Sequence, residues 1–185
     1  QAGTFIYQGD LTPSRFGSYR TPGWQLGISA SSRLSHFFSI RSNIALGKLR
    51  GDDAKYAHPE WRQHRNFNFK SPVFELSGLL VWDVLGDPAE RRGLSPYVFA
   101  GAGLSVLGVR RDAGNLDAEY FSTEVNLFTG LDADMARRPP RIIPVLPVGA
   151  GVRYELTEKV SLHLETSYRV TFTDYLDGFS KAAKP

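Results

Sequence analysis

Apolar and polar residues alternate along most of this chain with a period of two, the signature of strands with two unlike faces. From Trp24 to Leu34 one face reads Trp24, Leu26, Ile28, Ala30 and Leu34, and the other reads Gln25, Gly27, Ser29, Ser31 and Arg33. After a break at Ser35-His36, Phe38, Ile40, Ile44 and Leu46 alternate with Ser39, Arg41, Asn43, Ala45 and Gly47. A strand over about Asn68 to Leu85 sets Phe74, Leu76, Leu80, Trp82 and Val84 against Glu75, Ser77 and Asp83. In "LSPYVFAGAGLSVLG", Val98, Ala100, Ala102, Leu104 and Val106 oppose Phe99, Gly101, Gly103 and Ser105. Two more strands follow: Leu146, Val148, Ala150, Val152 and Tyr154 against Gly149, Gly151, Arg153 and Glu155, then Leu162, Leu164, Tyr168, Val170 and Phe172 against His163, Glu165, Ser167, Arg169 and Thr171. With a first strand near Thr4 to Leu11, seven strands are expected.

Strands of about ten residues exceed the usual globular length of roughly five or six, and they suit a tilted membrane crossing. The connections alternate too: 12–23, 51–66 and 109–141 are long, whereas 35–36, 87–93 and 157–159 are short. That rhythm is expected of an all-β, up-and-down transmembrane barrel of eight strands, OmpA/OmpX-like, with short turns on the periplasmic side. The long 109–141 segment is expected to fold over or to move. A soluble sandwich would alternate as well, so the polar faces have to decide. They carry Gly, Ser, Thr, Asn and a few charges, where a water-facing surface would be rich in Lys and Glu. Small residues suit the filled interior of a narrow barrel. Charges there must be paired, which predicts a lumen network of Arg33, Arg41, Glu75, Asp83, Arg153, Glu155, His163, Glu165 and Arg169. Trp24, Phe37, Phe38, Trp82, Tyr97, Tyr154, Phe172 and Tyr175 lie near strand ends, as interfacial girdles would.

Two features strain this reading. Pro144 and Pro147 stand where the sixth strand begins and predict a late start or a bulge, because proline cannot donate to a ladder. Seven strands are odd where bacterial barrels are even. A final eighth strand is therefore expected either beyond "GFSKAAKP" or from another protein.

Composition narrows the field. The chain has 185 residues, enough for one domain, and no apolar run long enough to span a bilayer as a helix. No cysteine means no disulfide framework or thiol chemistry. A formal charge of +3, with basic residues scattered among acidic ones, argues against nucleic-acid binding. Gln1-Ala2-Gly3 has neither the basic nor the apolar part of a signal peptide, so a secreted protein is expected to be represented by its mature chain.

Motifs for chemistry are sparse, and no enzymatic activity, cofactor or metal is expected. His58, Glu60 and His64 share a loop and could offer imidazole and carboxylate ligands, but no further ligand stands at suitable spacing. His163 and Glu165 share a face near Arg169; a filled lumen leaves no room for substrate, so they read as structural. Arg50-Gly51-Asp52 spells an adhesion tripeptide, but Gly-Asp-Asp after a strand is an ordinary turn, and a turn is the expected reading. Asp132 and Asp134 lack the rest of a calcium loop. The glycines of "AGAG" have no Lys-Ser/Thr and helix behind them to make a phosphate loop; they relieve crowding in the wall.

The strings "YQGDL", "ALGKLRGDDA", "RNFNFKSPVFELSGLLVWDVLG", "LSPYVFAGAG", "PVGAGVRYELTEKVSLHLETSYR" and "FTDYLDGFS" add a resemblance. Together they resemble a family of Bacteroidota outer-membrane β-barrels that includes PorG of type IX secretion. The likeness spans nearly the whole chain, with Asp177-Gly178 standing where the family typically has Asp-Asp. It implies a barrel in the cell outer membrane, among its lipids. It also implies a non-enzymatic role, docking or anchoring periplasmic components of a secretion or motility machine, such as ring proteins or a lipoprotein. The alternative is a free-standing OmpA/OmpW-like barrel for adhesion, membrane integrity or small-molecule passage. Short turns face the periplasm in this arrangement. The docking candidates are therefore Ser35, His36, Asp87, Glu90, Arg91, Arg92, Glu158 and Lys159.

Overall fold

The computed structural model describes residues 1–9, 17–87, 93–122, 131, 136, 139–157 and 160–172. Its eight strands are β1 (Ala2–Phe5), β2 (Gly23–Arg33), β3 (Phe38–Asp52), β4 (Asn68–Asp83), β5 (Leu94–Leu107), β6 (Arg110–Asp112), β7 (Ile142–Thr157) and β8 (Val160–Thr171). All pair antiparallel in the order β1-β2-β3-β4-β5-β7-β8, and β6 joins β4 alongside β5. The chain thus runs up and down through one curled, barrel-like sheet, and the seven expected strands are all present. β6 continues the path of β5: beyond Leu107, paired with Val73, the Gly108 N–H still donates to the Pro72 carbonyl, and Arg110 then pairs with Lys70. The helical elements are a 3-10 turn at Asp53–Lys55 and the five-residue α1 (Trp61–Arg65), and Leu131 and Ala136 are also helical.

Short turns join β2 to β3, β4 to β5 and β7 to β8 at one end of the sheet, and the long segments lie at the other, as the connection lengths predict. β1 is shorter than expected and ends at Phe5. Beyond it the chain leaves the ladder, and the Tyr7 carbonyl turns to accept the Ser18 N–H at 2.7 Å. The two prolines of β7 neither delay the strand nor bulge it. Pairing with β5 covers Ala100↔Val148, lapses across Pro147 and Leu146, and resumes in the same register at Gly103↔Val145. A long ladder on both flanks tolerates a lost donor without a shift. The closing strand is expected beyond residue 185 or from another protein; among the described residues β1 and β8 do not pair with each other.

Burial is reversed relative to a water-soluble sheet. On β4 the buried face is Phe69, Ser71, Val73, Glu75, Ser77, Leu79, Val81 and Asp83, and the outward one includes Phe74, Leu76, Leu80 and Trp82, which is 46% exposed. β3 buries Ser39, Arg41, Ala45 and Gly47 and exposes Phe38, Ile40, Ile44 and Leu46. The same parity holds on β5 and β7. No second layer covers the outward faces among the described residues, and all eight strands join one antiparallel sheet.

The long-loop end carries its own core. Tyr7, Phe67 and Phe69 are buried there, with Leu49, Val109, Ala113, Leu116 and Leu131 packed against them. The described part of the 109–141 segment is therefore folded over the sheet end. Arg50-Gly51-Asp52 is not a turn: it closes β3 opposite Asn68 to Lys70, and Asp52 caps the 3-10 turn by accepting from the Ala54 N–H.

Candidate functional site

Curling brings β8 across from β3 and β4, and the polar residues of their inward faces meet. Arg41 of β3 forms an ion pair with Glu165 of β8, which also accepts from the Tyr97 hydroxyl of β5. Glu75 of β4 receives Arg169 Nε of β8 at 2.7 Å and the Ser105 hydroxyl at 3.3 Å. Toward the short-turn end, Asp83 lies 3.5 Å from Arg153 and 3.9 Å from Arg33, and Arg33 also reaches Asp87 at 3.0 Å. Arg41 and Glu75 are only 4% and 2% exposed, so each has exchanged water for a single opposite charge and its hydrogen bonds. Asp83 is as deeply buried, and its two guanidinium contacts are longer than hydrogen bonds; charge holds it there.

Aromatic faces complete the solvation of the cations. Arg41 sits over Phe99 at 4.8 Å and Tyr97 at 5.8 Å, Arg153 over Tyr97 at 5.3 Å, and Arg169 over Phe5 at 4.9 Å. A guanidinium is planar and weakly hydrated, so it can stack on a ring while its edge binds a carboxylate.

Seven of the nine residues expected in the lumen thus form ion pairs. His163 joins through neutral partners, 3.3 Å from the Tyr97 hydroxyl and 2.9 Å from Ser161 Oγ. Glu155 occupies the expected face, half-buried and in register with Ser161, but forms no ion pair among the described residues. Tyr97 corrects the sequence reading: it is not in an outer girdle but 1% exposed at the centre of the network. Its parity with Phe99 and Ser105 was the available signal. Trp24, Phe37, Phe38, Trp82, Tyr154 and Phe172 are exposed as expected, and Tyr175 lies outside the described residues.

A second buried ion cluster has no counterpart in the sequence reading. Asp53, fully buried at the long-loop end, receives Arg62 Nη1 at 2.9 Å and Arg65 Nε at 2.6 Å. Arg65 is stacked between Trp61 at 4.7 Å and Phe67 at 5.0 Å. α1 has Arg62 and Arg65 three residues apart, hence on one face, and that spacing was the only hint. Nearby, His64 meets Asp117 at 3.0 Å and stacks on Tyr120 with centroids 3.9 Å apart. His64 is therefore turned to a neighbouring loop, and among the described residues no three His, Asp or Glu side chains converge as metal ligands. Asp132 and Asp134 lie outside the described residues.

At the short-turn rim, Ser35 Oγ accepts from the Phe38 N–H, the His36 carbonyl faces Arg33, and Asp87 holds Arg33. Glu90, Arg91, Arg92, Glu158 and Lys159 lie outside the described residues.

A family described as "Domain of unknown function (DUF6089)" has a model that matches residues 1–184, and the chain belongs to that family. Neither among curated proteins nor among solved structures does any match it.

Proposed function

We propose that this DUF6089 family member is a sealed outer-membrane β-barrel that docks or anchors periplasmic parts of a secretion machine of the type IX kind, without enzymatic activity. The observation that carries the membrane reading is the reversed sidedness: charges paired inside, leucines, isoleucines, valines and aromatics exposed outside. Each such side chain is worth about 1.5–3 kcal/mol when moved from water to apolar surroundings. Over a whole belt that sum exceeds the net stability of a domain, so hydrocarbon is the fitting cover. Aromatics mark both edges of the belt, Trp82 with its neighbour Phe38 toward the short turns and Trp24 toward the long loops.

The docking role is favoured over passage because ion pairs and stacked rings cross the interior. The resemblance to the PorG-like barrels points the same way, and the charged short-turn rim is the surface a periplasmic partner would meet. Pull-down from gently solubilised outer membranes should recover a periplasmic ring protein or lipoprotein, and a rim variant, His36→Ala with Asp87→Ala, should weaken it. Recovery of the barrel with no periplasmic partner would favour the free-standing barrel. Quenching of Trp82 by lipid-borne quenchers tests the membrane placement, and protection of Trp82 would overturn it.

A further inference from the structure

Just beyond the apolar belt, at the long-loop end, the outward face changes character in register across three strands. The last fully apolar row is Leu46↔Phe74↔Val106. The next row pairs Lys48 with Pro72, and the one after it is Arg50↔Lys70↔Arg110. All three cations of that row are exposed. Neighbouring strands lie about 4.8 Å apart, so three like charges stand side by side. Like charges directly opposite one another are destabilising. No acidic partner relieves them: among the described residues none of the three forms an ion pair. The nearest carboxylates on that face, Asp52 and Asp112, are turned to the Ala54 and Gly114 backbone N–H groups at 3.0 and 2.9 Å.

From this we infer that the row binds the phosphates of anionic lipid headgroups in the leaflet at the long-loop end. The inference rests on the barrel reading above. Geometry fits: four residues separate Leu46 from Arg50, about 13 Å along a tilted strand. The interfacial layer outside the hydrocarbon is roughly 5–8 Å deep, and long basic side chains reach within it. Arg offers a fork to two phosphate oxygens, Lys a point charge between two such forks. A periplasmic or extracellular protein would approach from the rim, whereas this row faces sideways, directly above the belt.

Trp24 is the natural reporter, since it precedes Gln25, which pairs with Gly47 beside Lys48. In a background with Trp61→Phe and Trp82→Phe, which leaves Trp24 as the single tryptophan, the protein is folded into phosphatidylcholine vesicles containing a minority of brominated-chain lipid, either phosphatidylglycerol or phosphatidylcholine. The brominated anionic lipid should quench Trp24 as though enriched roughly fivefold over its mole fraction, and R50Q/K70Q/R110Q should quench equally with both lipids. Lys70→Gln alone should give an intermediate preference, which guards against misfolding of the triple variant; Trp82, read in a background with Trp24→Phe and Trp61→Phe, should show none of it. Equal quenching of Trp24 by both lipids in the unaltered row overturns the proposal and leaves the barrel standing. No quenching by either lipid overturns the barrel reading itself. Loss of the preference on adding inorganic phosphate, with chloride at matched ionic strength as control, would make the row a free-anion site and overturn the assignment to lipid.

Discussion

Arg41 shows what a single buried charge requires. It sits on a strand where its neighbours two residues away are Ser39 and Asn43, and its carboxylate partner comes from 124 residues away. Removing Glu165 leaves a guanidinium 4% exposed with only ring faces for company. Because Glu165 itself is partly exposed, the cost falls below the full range for a buried pair, about 2–3 kcal/mol for Glu165→Gln. Replacing both, as Arg41→Leu with Glu165→Leu, should recover most of that loss, and urea unfolding of the barrel in detergent micelles reads the cycle. Alternation placed both residues on the right face, but no spacing rule joins them, because the partner is chosen by curvature of the sheet. Tyr97 shows the opposite case: its position near a strand end pointed outward, while its parity pointed inward, and parity won. Asp117 provides a pH prediction outside the sheet. The hydrogen bond from His64, helped by the Tyr120 N–H, holds its carboxyl below the ordinary value of 3.8. A lowered carboxylate contributes its full stabilisation above that ordinary value and loses it as pH falls through the lowered one. Limited acid-stable proteolysis of the 113–122 loop should therefore accelerate as the pH falls below the ordinary value of 3.8 and through the lowered one, and Asp117→Asn should remove that step.

At the scale of elements, β3, β4, β5, β7 and β8 are legible because alternation recurs over many residues in each, despite breaks such as Ser42, Gly78 and Thr166, and register follows once one face is fixed. β1 was read too long because Tyr7 continues the alternation while its carbonyl already serves Ser18. The tie between the 3-10 turn and α1 through Asp53 was unreadable, since three charges in a polar loop resemble any solvated segment. The glycines of β5 follow from crowding between neighbours: a Cβ at Gly101 would lie 2.0 Å from the Gly78 carbonyl oxygen of β4, and one at Gly103 would lie 2.5 Å from that of Leu76. Both obstacles are backbone in the paired strand, so a side chain there must push the ladder apart. Gly101→Ala should cost about 1–3 kcal/mol, whereas Gly78→Ala, with open space around its Cβ, should be nearly neutral. Folding yield into micelles and the urea midpoint distinguish the two variants.

For the whole molecule, the proposed sealed barrel would have two closures, one above the other. Ion pairs from β8 to β3 and β4 cross the middle, and the Tyr7, Phe67 and Phe69 cluster and the Asp53 ion cluster lie at the long-loop end. Barriers in series add, so ions pass only when every one is open. Glu75→Ala with Arg169→Ala removes one cross-lumen tie and should leave a planar bilayer silent, because the loop-end cluster still blocks the path. Phe67→Ala with Phe69→Ala should also stay silent, because the lumen pairs remain. Combining the four substitutions should produce discrete steps of current. A steady large pore in the unaltered protein would contradict the sealed lumen outright. Current from the Glu75 and Arg169 variant alone would show that the loop-end cluster is no barrier and that the charged stripe alone separates the two sides.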